Sequence, residues 1–293
     1  MNLNSLLAEA EIDPKQAPVL VLRHRPSEPQ FNKVMPWLVA EKPSVFNAYQ
    51  QFQGEKVEKA MQTAKYVASF LGREPGRALF VGLYEVKGWK PITLDDCRQL
   101  EEVKELMSLG MTGFDDDKSR PNFLWFDLER TKHHESWIGK LVVKWPAPEI
   151  SWWRWADRNE FSVQAIHEES VLDSALPDWD KLNLTWDELH VMPKRLQAAL
   201  KEWRGIYFIF DSSDGKSYVG SASSDDNILG RWLNYKTSGD GGNKYLKKRN
   251  PENFRFTILQ RVSPDMPAKE VIQIENSWKE RLHTRYPFGL NDN

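Results

Sequence analysis

The side chains best suited to chemistry stand in the last third of the 293-residue chain. The segment RGIYFIFDSSDGKSYVGSAS alternates apolar and polar residues about a Ser-Asp-Gly turn, the pattern of a β-hairpin. It carries two tyrosines, Tyr207 and Tyr218, 11 positions apart. On paired strands their hydroxyls can face one site. A phenol beside a metal or a lysine can have its pKa lowered enough to orient or deprotonate water. Lys216, two positions before Tyr218 on the same strand face, is such a lysine.

Identities extend what the pattern suggests. Gly205-Ile206-Tyr207 followed by Tyr218-Val219-Gly220 resembles the paired motifs that name the GIY-YIG endonuclease family. That family also carries an arginine on the helix after the second strand, a glutamate on a later helix and an asparagine near the end. Here GRWLNY, AKEVIQIENSWKERL and PFGLN supply Arg231, Glu275 and Asn291 in that order. The resemblance covers residues 204–293. It implies an α+β domain with a small three-stranded antiparallel sheet flanked by helices. It also implies an enzyme that hydrolyses DNA phosphodiester bonds with one Mg²⁺ or Mn²⁺ ion.

The same resemblance assigns roles. Glu275 would hold the metal, since Mg²⁺ is typically bound by one or two carboxylates with water and phosphate completing its shell. Arg231 would contact the scissile phosphate, where a guanidinium donates two hydrogen bonds and keeps its charge at any working pH. Tyr207 would stand nearest the nucleophile. Tyr235, one helical turn after Arg231 on the same face, would act as a base or relay. Lys216 would stabilise a phenolate or the attacking oxygen, and Asn291 would hold the site together by hydrogen bonds.

One departure from the family pattern is visible. Related sequences often read Gly-His-Gly-Gly-Asn where this chain has SGDGGNK, which puts Asp240 in the place of the histidine. The following stretch, NKYLKKRNP, reads as a basic helix presenting Lys244, Lys247, Lys248 and Arg249. Runs of charge are usually solvated faces. Beside a phosphodiester-cleaving site, such a run is a candidate backbone contact that positions DNA without reading its sequence.

The elements upstream must position this domain on its substrate. Residues 185–203 read as a linker helix that opens with a capping box, Thr185 and Glu188, and continues through Leu189, Leu196 and Leu200. Residues 1–184 are expected to form a targeting domain, mixed α+β or a small barrel. It should have a helix over Leu3–Ala10 and a strand through Val19–Leu22. One or two helices are expected across FNAYQQF and EKVEKAMQTAKYVASFLG, ending at Gly72, and several aromatic strands should follow. This region loosely resembles PUA-like base-binding domains, which implies an aromatic pocket; the candidates are Tyr84, Trp125, Trp152, Trp153 and Trp155. Core packing is the commoner fate of each such side chain.

Composition bounds the rest. Ten of the thirteen tryptophans precede Pro193. Net charge is only −2, but Lys201–Asn293 carries 15 Lys+Arg against 12 Asp+Glu, so the positive excess lies in the tail. A lone Cys97 excludes an intrachain disulfide and any cysteine-based zinc site, and with no secretory leader it suits the cytoplasm. No apolar stretch approaches the roughly 18 residues of a membrane span. The two resemblances together imply a restriction or defence nuclease acting on DNA, possibly modified DNA. A structure-specific repair nuclease and an inactive binding module are the alternatives. Cutting both strands of a duplex calls for two sites or two visits, which hints at a homodimer.

Overall fold

The computed structural model describes residues 1–72, 74–112, 122–173, 178–223 and 227–292. The chain divides into two compact units, Met1–Ser174 and Ala175–Asn293.

In the first unit, α1 (Leu3–Glu9) starts where the Asn2 side chain accepts the Ser5 N–H, a standard N-cap. Then come β1 (Val19–His24), α2 (Pro29–Glu41), α3 (Pro43–Gln51), α4 (Glu55–Met61), β2 (Tyr66–Leu71) and β3 (Arg77–Ile92). Next are α5 (Leu94–Gln99), α6 (Glu101–Ser108), β4 (Phe123–Arg130), β5 (Leu141–Lys144), β6 (Trp153–Trp155) and β7 (Val163–Ile166). The seven strands form one mixed sheet in the order β6-β1-β2-β3-β5-β7, with β4 paired to the far half of β3. The pair β1 and β2 is parallel. Leu6, Val21, Phe70, Phe80, Trp145 and Phe161 belong to the core cluster beneath the sheet.

One expectation changes here. The apolar run YVASFL is not the end of a helix but strand β2, whose residues after Tyr66 are all buried. A strand covered on both faces is a continuous apolar run, which periodicity does not separate from a buried helix. Of the two forms expected for this unit, mixed α+β is the one found: the sheet is open, its order ending at β6 and β7 with no ladder closing it among the described residues.

The second unit contains β8 (Asn183–Thr185), α7 (Trp186–His190), α8 (Lys194–Glu202), β9 (Gly205–Asp211) and β10 (Ser217–Ala222). It continues with α9 (Asn227–Ser238), β11 (Phe254–Arg261) and α10 (Ala268–Arg281). The expected capping box exists: the Thr185 hydroxyl accepts the Glu188 N–H at 3.1 Å, and the Glu188 carboxylate accepts the Thr185 N–H at 2.6 Å. The sheet has the expected three antiparallel strands plus a fourth, in the order β10-β9-β11-β8. Because β8 pairs with β11, the segment expected to be a separate linker belongs to this unit, and its boundary precedes residue 185.

Alternation along β9 sends its residues to two faces. Ile206 and Phe208 pack with Val219 and Val271 under α10. Tyr207 points the other way, towards Tyr235 on α9.

Candidate active site

Three tyrosines meet on the α9 face of the sheet. Ring centroids lie 6.3 Å apart for Tyr207 and Tyr218, 6.1 Å for Tyr207 and Tyr235, and 6.4 Å for Tyr218 and Tyr235. The Tyr207 and Tyr235 hydroxyls are 3.1 Å apart, and the Arg231 Nε donates to the Tyr207 hydroxyl at 3.4 Å. Sequence reasoning therefore placed four side chains that the fold brings together.

Two glycines make room for this cluster. Gly220 stands opposite Tyr207 in the ladder, and a Cβ there would lie 2.4 Å from the tyrosine hydroxyl. Gly241, at a positive φ of 57°, leaves no space for a Cβ because the Tyr235 ring would be 2.4 Å away. Asp240, in the place of the usual histidine, accepts the Gly242 N–H at 2.7 Å and shapes that turn.

Burial sets the protonation of the cluster. Desolvation pushes the Tyr207 hydroxyl well above the ordinary tyrosine range, with Tyr218 adding to the shift and the Arg231 charge opposing it. Tyr235 is raised for the same first reason. Burial outweighs the neighbouring guanidinium here, because a phenolate is costly in a dry pocket. Both side chains are neutral hydroxyls, able to donate and accept.

Glu275 reaches β10 from the other face. It lies on α10 and accepts a short hydrogen bond from Ser221, which is one residue past Gly220 and so faces away from the tyrosines. Its second oxygen is 2.7 Å from the buried Lys279 ammonium, one helical turn on. Ser221 and Lys279 were not among the candidates read from the sequence. The Glu-x-x-x-Lys spacing was visible, whereas the serine carried no signal of its own. Among the described residues no group of three or more His, Cys, Asp or Glu side chains could hold a metal ion. One carboxylate with water and substrate phosphate is an ordinary Mg²⁺ setting, so the donor set fits with Glu275 as the protein anchor.

Asn291 locks the strand that carries both halves of the site. Its side chain accepts the Val219 N–H at 3.0 Å and donates to the Val219 carbonyl at 2.8 Å, and the residue is 2% exposed. Lys216 donates to the Pro287 carbonyl at 3.2 Å, so its hydrogen bond goes to the C-terminal loop and not to a phenol.

The basic segment differs from expectation in two respects. Residues 244–249 form successive turns, not a helix, because Asn243 caps a single turn between Gly242 and Pro251. Arg249 is committed to structure: it donates to Asp211 at 2.6 Å and to both Asp214 oxygens at 2.8 and 2.9 Å. That bonding holds the Asp214 carboxyl down at about 2. Lys247 and Lys248 are exposed, and Lys244 lies 5.1 Å over the Tyr245 ring and 3.7 Å from Asp292.

The five aromatic candidates of the first unit do not form one pocket. Tyr84 is buried on β3, its hydroxyl pushed up to about 12 by burial. Trp125 lines a depression of about 410 Å³ with Trp89 and Lys90. Trp153 and Trp155 lie on β6, the latter 5.9 Å from the Arg158 guanidinium. Trp152 alone stands at the mouth of a larger cavity. Alternation and strand position scatter side chains that are close in sequence.

Residues 204–288 match the family model described as the GIY-YIG catalytic domain. The C-terminal unit is therefore a GIY-YIG catalytic domain, and the protein is an endonuclease of that type. Two solved structures are similar to it, the catalytic domain of the homing endonuclease I-TevI and a mutant of the catalytic domain of the intron endonuclease I-TevI. Both are 25% identical over 31% of this chain, covering 98% and 94% of the other chain with TM-scores of 0.26 and 0.27. No curated protein matches the chain. The family match does not extend into the first unit. GIY-YIG nucleases generally depend on a divalent metal. No described helix is long and apolar enough to cross a membrane.

Proposed function

We propose that the protein hydrolyses DNA backbone phosphodiesters with one Mg²⁺ or Mn²⁺ ion at Glu275, and that the first unit targets the cut, as in a restriction or defence nuclease acting in the cytoplasm. The observation that carries this reading is the joining of Tyr207, Tyr218, Tyr235 and Arg231 into one cluster. Bound metal would supply charge stabilisation on the phosphate and the leaving oxygen. Arg231 holds a non-bridging oxygen of the scissile phosphate. The neutral Tyr207 and Tyr235 hydroxyls, hydrogen-bonded to each other, orient the attacking water, whose proton leaves to solvent. Lys279 and Ser221 fix the Glu275 carboxylate in one rotamer. Lys244, Lys247 and Lys248 are offered as contacts to the DNA backbone. One chain carries one such site, so cutting both strands needs a second chain or a second visit.

The test is cleavage of a panel of DNAs, unmodified and carrying cytosine modifications, by the wild-type chain and by Glu275→Ala with Mg²⁺ or Mn²⁺. Metal-dependent cutting absent from the variant supports the reading. Binding without cutting by the wild type would sink it in favour of an inactive binding module. That second reading draws on the pairing of both Glu275 oxygens with Lys279 and Ser221.

A further inference from the structure

The C-terminal loop of the second unit runs along β10, the edge strand of its sheet. The Leu290 N–H donates to the Ser217 carbonyl at 2.9 Å and the Asn291 side chain pairs with Val219, so the loop is tied to both neighbours of Tyr218. It also closes on itself. The Tyr286 N–H donates to the Asn291 carbonyl at 2.8 Å, the Gly289 N–H to the Arg285 carbonyl at 2.9 Å and the Asn291 N–H to the Thr284 carbonyl at 2.8 Å. A Cβ at Gly289 would stand 2.2 Å from the Thr284 carbonyl oxygen, so the turn has room only for glycine there. The backbone is thus fixed, with Thr284, Gly289, Leu290 and Asn291 buried.

This tied loop holds two aromatic rings out in solvent. Tyr286 is 60% exposed and Phe288 79%. Tyr245, on the turns after α9, stacks on Tyr286 with ring centroids 4.9 Å apart and planes 11° from parallel. One face of Tyr286 is therefore covered and the other is open. Clustered apolar surface left in water is costly and marks a place where something binds.

Cations stand among the rings. The Lys216 Nζ donates at 3.2 Å to the carbonyl of Pro287, the residue between Tyr286 and Phe288. The Lys244 Nζ lies 5.1 Å from the Tyr245 centroid, and Arg285 precedes Tyr286. Asp292 and Glu280 are 3.7 Å from Lys244 and Arg285 respectively, so positive charge keeps the majority.

Flat rings interleaved with cations are the combination that holds single-stranded nucleic acid: the cations follow the backbone and the rings stack on bases of any identity. Inside a duplex both faces of each base are already stacked, so an open ring face selects a base that has lost a neighbour. We propose that Tyr286 and Phe288 stack an unpaired base of the strand whose phosphate lies at the tyrosine cluster. The preferred substrate is then a DNA with single-stranded character beside the cut. This inference rests on the reading of the protein as a DNA nuclease.

The test uses the full chain carrying Glu275→Ala, so that DNA is not cut, and measures affinity for a plain duplex, the duplex with a single-stranded thymidine flap, and the same flap built of abasic sites. The abasic flap keeps the backbone charge and lacks the bases. We expect the base-bearing flap to bind about tenfold more tightly than either of the others. Replacing both rings, Tyr286→Ala with Phe288→Ala, should bring the two flaps within about twofold of each other, whereas Tyr286→Phe should keep the preference. Equal affinity for the two flaps overturns the inference, and so does a preference that survives the double replacement. Equal affinity together with a double variant that sediments as a smaller species than its parent would assign the rings to a contact between copies instead. Metal-dependent cutting by the wild-type chain is measured beside it. A chain that cuts DNA but does not distinguish the flaps loses this inference alone, whereas one that neither cuts nor binds loses both.

Discussion

The Tyr207 hydroxyl lies 3.1 Å from the Tyr235 hydroxyl, with the Arg231 Nε 3.4 Å from the first of them. A water bound at Tyr207 is therefore held by a pair of neutral hydroxyls with a fixed positive charge beside them. Tyr207→Phe removes the first acceptor while keeping the ring in its packing. Turnover should fall by about a hundredfold, the cost of misplacing a reacting group by about 1 Å, with DNA affinity unchanged. Single-turnover cleavage and equilibrium binding on one substrate check both halves of the statement.

Gly220→Ala tests the same geometry from the opposite strand. The added methyl would stand 2.4 Å from the Tyr207 hydroxyl and must displace the ring. Displacements of about 1 Å at a reacting group can cost about a hundredfold in rate. A rate within threefold of wild type would mean that the hydroxyl is not held for catalysis.

Asn291→Ala leaves the Val219 N–H and C=O without the partners that now bury them. Each orphaned group costs about 1–3 kcal/mol, so the C-terminal unit should lose about 2–6 kcal/mol. Denaturant unfolding followed by a probe in that unit measures it. Asn291→Asp, which keeps the acceptor but not the donor, should fall between the two.

Arg249 and its lysine neighbours should separate cleanly. Lys247→Ala with Lys248→Ala removes two exposed cations. If both contact phosphates, the slope of log affinity against log salt becomes shallower by about 1.8. Arg249→Ala instead breaks the bonds to Asp211 and Asp214 and should lower stability while leaving that slope alone.

Alkaline pH should loosen the C-terminal unit. Unfolded tyrosines ionise near pH 10, whereas burial keeps Tyr207 and Tyr235 protonated to higher pH in the fold. Their contribution is complete below about pH 10 and is lost as pH rises through the folded values. Thermal unfolding between about pH 8 and 11 should show the decline, and Tyr235→Phe should reduce it.

Much of the tyrosine–arginine cluster was legible because it lies within short motifs. The resemblance of GIY, YVG and GRWLNY to family motifs singled out Tyr207, Tyr218, Arg231 and Tyr235, and strand alternation with the helical turn explains why they share one face. The capping box at Thr185 was readable for the same reason. Ser221 was not legible, since its partner stands 54 residues away across a sheet–helix contact. Arg249 was misread because a charge run does not reveal which member has carboxylates folded against it. Strand β2 was not legible, because a fully buried strand has no period to read. Arg23 and His24 look like polar punctuation after VLVL until the sheet buries them.

Strand β8 has a consequence for anyone who would move this nuclease onto another protein. The stretch that resembles known catalytic domains begins at 204, but the sheet is completed by Asn183–Thr185 on the outer side of β11. A graft starting at the family boundary would carry a bare strand edge, the kind of surface that recruits other chains into aggregates. The transferable cassette is longer than the recognisable one and starts upstream of β8.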